Sequence, residues 1–228
     1  MEDPLYMSPE PLDSTFLGFD PGGADAFGVA WIKRDESDFE TVDTVRHALE
    51  WVREKCYREV PIAAGIDTLL HWSVGRSGDR DADRYLRGQL RLVVLSPNSL
   101  RGAMTVGGAA LAIRLRQEWG GIRLNEAHPK ALYSWLTCRA YSDDPKHALA
   151  WLKERYSISA ARANDHEFDA LLSAIATREA LLGNWRDLAK VCDDHVFPID
   201  SVTYLWPASS SRCRAGSVKG RRKLRNRR

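Results

Sequence analysis

The residues of this chain best suited to chemistry are acids at the ends of short apolar runs. Asp20 closes FLGFD just before Pro21, Gly22 and Gly23; Asp67 closes PIAAGID; Glu126 follows GIRLN. In open α/β sheets, ligands settle beyond the carboxyl ends of the strands. Parallel neighbours ending this way would bring their carboxylates together, and like charges held close call for a cation. Mg²⁺, or Mn²⁺ in its place, suits that role. It is a hard ion that takes one or two carboxylates, waters and phosphate oxygens. The same acids also suit plain turns, because Asp is a good turn former.

A fourth element adds to them. In ANDHEFDALLSAIATREALL (163–182), Phe168, Leu171, Leu172, Ile175 and Leu182 share one face of a helix. Asp165 and Asp169 are i, i+4 neighbours beside that stripe, and His166 lies three residues before Asp169. Asn164 with Glu167 reads as a capping box, and acids in a first turn favour the helix dipole. Capping accounts for Asn164, Glu167 and Asp165. It leaves Asp169 unexplained, a full turn in and next to the core stripe, where Asp165 repels it. His166 can ligate a metal or move a proton near neutral pH.

These side chains need a scaffold. Apolar runs predict strands at 16–20, 26–33 and 39–45, with a Pro-Gly-Gly turn joining the first two as a hairpin. A helix follows at 46–58 and a buried strand at 61–67, then an irregular, Arg-rich stretch at 68–101. Further helices are expected at 103–118, 130–138, 145–155 and 164–182, with strands at 121–129 and 195–206. Three strands, then alternating helices and strands, predict an α/β fold: an RNase H-like mixed five-stranded sheet flanked by helices. Residues 1–13 read as a loose leader, 14–206 as the domain and 207–228 as a basic, disordered tail.

Composition agrees with one globular domain. The chain has 228 residues, 44% hydrophobic and 28% charged, enough to bury a core without a metal or disulfide staple. No apolar run approaches 18 residues, so no membrane span is expected. The N-terminus lacks the apolar core of a secretion signal. The four cysteines are scattered without a C-x-x-C pair, which predicts reduced thiols and a cytoplasmic protein.

The net charge of +2 conceals an asymmetry. Nine of the 33 Lys and Arg fall between Arg212 and Arg228, where there is no acid. The remaining 24 face 31 Asp and Glu, so an acidic body carries a strongly basic tail. The tail, with Arg221, Arg222 and Lys223 at its centre, suits salt-dependent binding of nucleic acid. It could equally be a solubilising arm. Arg76, Arg80, Arg84, Arg87 and Arg91 recur at spacings of four, four, three and four, a cationic stripe if helical. Asp79, Asp81 and Asp83 could pair with that stripe instead. Trp72 beside His71 is placed for base stacking.

FLGFDPGG with FGVAWI resembles the first hairpin of RuvC-type Holliday-junction resolvases, where Asp-Pro-Gly ends the first strand. DHEFDALLSAIA resembles their last catalytic helix. GIDTLL, DRDADRYLR, NEAHPKALY and the Asp-Ala helix together resemble a family of predicted RNase H-like nucleases, over roughly residues 16–183. The resemblance implies a metal-dependent nuclease hydrolysing DNA or RNA with two Mg²⁺ or Mn²⁺ ions per site, about 4 Å apart. It implies Asp20, Asp67, Asp165 and Asp169 as metal ligands. His166 would assist, and Glu126 and His128 would line the same cavity, Glu126 among the catalytic residues. Resolvases usually carry Glu at the fourth-strand position, where Asp67 is shorter by a methylene. Two other readings stay open. One is a non-catalytic nucleic-acid or protein-binding module on the same fold. The other is a phosphotransferase, although no G-x-x-x-x-G-K-[ST] loop is present. An acidic body with a basic tail also allows self-association or a protein partner.

Overall fold

Three strands open the chain: β1 (Phe16–Pro21), β2 (Phe27–Lys33) and β3 (Glu36–Val42), each antiparallel to the next. α1 (Val45–Lys55) follows, capped by the Thr44 hydroxyl, and leads to β4 (Ala63–Ile66). Next come α2 (Asp81–Gln89), α3 (Gly102–Glu118), β5 (Arg123–Glu126), α4 (Pro129–Thr137), α5 (Pro145–Tyr156) and α6 (Asp165–Leu182). The short elements β6 (Arg186–Asp187), α7 (Leu188–Val191), β7 (Val202–Thr203) and β8 (Leu205–Trp206) complete the order. The computed structural model describes residues 13–71, 80–90, 102–160, 162–183, 185–191, 202–208 and 213.

The main sheet runs β3-β2-β1-β4-β5-β7. β1, β4, β5 and β7 are parallel neighbours. An antiparallel three-stranded start continued by parallel strands, with helices on both faces, is the RNase H-like arrangement. The sheet has six strands where the sequence predicts five. The extra one, β7, is only two residues long, too short to leave a periodic signal. The expected strand at 195–206 is divided instead, because Val202–Thr203 pairs with β5 and Leu205–Trp206 pairs with β6 in a separate small sheet.

Alternation sorts the strands onto two cores. Leu17, Phe19, Ala64, Ile66 and Leu124 pack against α1 and α3. Phe16, Ala30, Ala63 and their neighbours face α6 and the helices around it. α6 approaches that face closely because glycines line its path. A Cβ on Gly18 would stand 1.9 Å from the Ala170 carbonyl oxygen, and one on Gly65 would stand 2.2 Å from that of Ser173. Gly18 and Gly65 are register partners on adjacent parallel strands, so together they form a shallow seat for the helix. Phe168, Leu171, Leu172 and Ile175 are buried against it, each contributing roughly 1.5–3 kcal/mol. Leu182, expected on the same stripe, is 39% exposed, because the helix ends beyond the sheet.

The cysteines depart from expectation. Cys138 and Cys213 form a disulfide across 75 residues. Cys138 ends α4 in a left-handed cap, and the Cys213 N–H donates to the Trp135 carbonyl at 3.0 Å. The fold brings the pair together, and scattered spacing in the sequence carries no trace of it. Cys56 is a free, buried thiol, and burial pushes its pKa up to about 12. No helix among the described residues is long and apolar enough to cross a membrane.

Candidate active site

Strand parity decides which acids meet. Asp20 shares the side of Gly18, and Asp67 shares the side of Gly65, so both turn toward α6. The Asp67 N–H donates to the Phe19 carbonyl at 2.8 Å, extending the β1–β4 ladder to the rung where Asp20 and Asp67 lie side by side. The N-terminal turns of α6 come down on this rung. Asn164 and Glu167 cap the helix reciprocally, the expected capping box, and the Asn164 amide donates to the Thr41 hydroxyl at 2.8 Å, tying the helix start to β3. Gly28 lies opposite Asp20 in the hairpin, and a Cβ there would stand 2.1 Å from the His166 carbonyl oxygen. That close approach puts His166 Nδ1 2.6 Å from Asp20 Oδ2.

Asp169 is 2% exposed. Its Oδ2 accepts from Lys130 Nζ at 2.9 Å, and the same ammonium donates to Asp165 Oδ2 at 2.6 Å. Its other oxygen, Oδ1, is buried with no hydrogen-bond partner. Burial raises the Asp169 pKa to about 8, with the Asp20 and Asp165 charges adding to the rise and Lys130 opposing it. Asp67 is likewise pushed well above the carboxylate range, by burial first and then by the Asp20 and Asp169 charges. His166 is shifted upward by its bond to Asp20. Asp20, Asp67, Asp165, His166 and Asp169 thus gather in one place, where ionising all four carboxylates together is unfavourable without a further cation.

Glu126 does not join them. It is fully buried, enclosed by the loop after β4 and the start of α2. Arg80 grips it with two bonds, at 2.6 and 2.8 Å. The Leu70 and His71 N–H groups donate to it at 2.8 and 3.2 Å, and the His71 and His128 rings stand at 3.3 and 3.1 Å. Burial favours its protonated form, but Arg80 and these donors override that and hold its pKa well below the usual range. Its oxygens, expected among the catalytic groups, are engaged in fixing the loop after β4. His128 links the two groups, with Nδ1 3.9 Å from Asp67 Oδ1.

Arg80, expected in a cationic stripe, turns inward. It is 2% exposed, and its guanidinium is shared among Asp83, Glu126 and the His71 carbonyl. No N–H remains for a phosphate. Asp83 at i+3 drew it inward, the pairing that the acids of this segment allowed for. Arg84 is exposed and pairs with Asp81, and Arg87 is partly exposed. Trp72, Arg76, Arg91, Arg221, Arg222 and Lys223 lie outside the described residues.

Lys130 was not singled out by its sequence. A signal existed: it sits in the first turn of α4, where the helix dipole disfavours a cation.

Among the described residues, no three His, Cys, Asp or Glu side chains are spaced as the ligand shell of one metal ion. A Mg²⁺ ion does not need that shell, since it binds through one or two carboxylates and keeps several waters. The donor set fits such an ion: hard oxygens, carboxylates whose ionisation a cation would favour, and in Asp169 Oδ1 a buried acceptor without a donor.

No family model and no curated protein matches the chain. Among solved structures, Thermus thermophilus RuvC is similar over 74% of this chain and 96% of its own, at 10% identity and a TM-score of 0.43. T. thermophilus RuvC in complex with a Holliday junction substrate is similar over 75% and 97%, at 16% identity and a TM-score of 0.46. The fold assignment rests on this chain's own strand order and pairing.

Proposed function

We propose that this chain is a metal-dependent nuclease, hydrolysing phosphodiester bonds in DNA or RNA. One observation carries the reading. Asp20, Asp67 and Asp169, from three separate elements, crowd together at the carboxyl ends of parallel strands, and Asp169 keeps an unpartnered buried oxygen. A buried carboxylate oxygen without a donor is destabilising, and a bound cation would offset that cost.

Asp20 and Asp169 would hold a divalent cation, with Asp67 and Asp165 beside them. When bound, that ion supplies Lewis acidity and an activated water for attack on phosphorus. The chain's own groups do the rest. Asp20 fixes His166 through Nδ1 and raises its hold on a proton, which leaves Nε2 as the nitrogen to meet a leaving oxygen. The Gly18 and Gly65 seat keeps α6 rigid, so Asp169 and His166 are held in place before substrate arrives. Arg84, Arg87 and the basic tail would meet the phosphate backbone.

The test is cleavage of labelled single- and double-stranded DNA, RNA, RNA–DNA hybrid and a four-way junction, in Mg²⁺, Mn²⁺ or EDTA. Metal-dependent cutting lost in both Asp20→Asn and Asp169→Asn is the expected result. Binding without cutting, unchanged in both variants, would instead indicate a non-catalytic binding module.

A further inference from the structure

We infer that Lys130 is a built-in cation standing where a second metal ion would otherwise sit, so that this site takes one divalent ion and not two. The inference rests on the metal-dependent reading above and deepens it.

The geometry is specific. The ammonium bridges Asp165 Oδ2 at 2.6 Å and Asp169 Oδ2 at 2.9 Å, and it stands 5.7 Å from the centre of the Tyr141 ring. An ammonium between two carboxylates from successive helical turns replaces what a hard cation would do there. Pro129 starts α4 and Lys130 follows in its first turn, against the helix dipole. The attraction of Asp165 and Asp169 outweighs that penalty, and it also outweighs burial in setting the charge on the lysine.

Asp169 is divided between two tasks. Lys130 holds Oδ2, and Oδ1 is left buried without a donor. One oxygen is therefore already satisfied by a cation, and only the other is available to a metal. Charge counting agrees. Asp20, Asp67, Asp165 and Asp169 carry four negative charges when ionised, which two divalent ions would balance alone. With the ammonium in place, a second divalent ion would leave an excess of positive charge and would repel Lys130 at close range.

The experiment counts Mn²⁺ bound to the full chain, by the loss of the free-ion signal in electron paramagnetic resonance. Wild type is compared with Lys130→Met, which keeps the stem and removes the charge, and Lys130→Arg, which keeps the charge. One Mn²⁺ per chain in wild type and Lys130→Arg, rising to two in Lys130→Met, is the expected pattern. Two in wild type, or one in Lys130→Met, would overturn the inference while leaving the metal-dependent reading intact. No Mn²⁺ bound by any of the three would overturn both.

Discussion

Two groups of buried acids lie at the same edge of the sheet, and they are built in opposite ways. Around Glu126, every demand of the carboxylate is met by Arg80, two backbone N–H groups and two imidazoles, and its pKa falls. Around Asp169, one carboxylate oxygen has no donor, three more carboxylates crowd in, and its pKa rises. Burial is the same in both, since Glu126 is 0% exposed and Asp169 2%. The difference lies in compensation. A saturated buried carboxylate is a structural member that holds a loop. An unsaturated one is a vacancy in the charge balance that a cation from solution can fill. The acid most buried in the strand ends is therefore not the acid best placed for chemistry.

The contrast can be broken in several places. The largest effect is expected at Asp20. Asp20→Asn should lower cleavage at least about a thousandfold, on the order of 4 kcal/mol in barrier, with unfolding in urea little changed. Retained cleavage would remove the open group from the reaction. Arg80→Met comes next. It leaves Glu126 buried without its one guanidinium partner, so it should cost about 3–4 kcal/mol of stability by urea denaturation. A cost under about 1 kcal/mol would mean that Glu126 is not held as described.

The third prediction concerns pH. Asp169 binds its proton more tightly folded, with a pKa of about 8, than unfolded near 3.8. Between those values the folded chain holds the extra proton, so the metal-free protein should lose stability as pH rises from about 4 to about 8. Asp169→Asn should flatten this slope and be the more stable of the two at the upper end. Thermal melts in EDTA across that range would reveal it, and a slope unchanged in the variant would contradict it. The smallest effect is expected at Arg84, an exposed residue paired with Asp81 at the surface. Arg84→Ala should move stability by less than about 0.5 kcal/mol, measured in the same melts.

Part of the site is legible in the sequence through the period-two alternation of its strands. In LGFD, Gly18 and Asp20 share a side; in AGID, Gly65 and Asp67 do. That alternation places Asp20 and Asp67 on the side of the two glycines that seat α6. The capping box at Asn164 and the position of Asp169 beyond it were legible for a similar reason, because both are local. What depends on distant parts of the chain was not. Arg80 reaches Glu126 across 46 residues, Lys130 reaches Asp165 across 35, and Cys138 meets Cys213 across 75. No local periodicity records such meetings. The sixth strand escaped for a different reason: at two residues it has no pattern to display.

The most direct measurement is a crystal soaked in Mn²⁺ and recorded for anomalous scattering. The account predicts a peak within bonding distance of Asp20 and Asp169 Oδ1, with Lys130 still bridging Asp165 and Asp169 and nothing at Glu126. A peak on Glu126, or none beside Asp20 and Asp169, would contradict it.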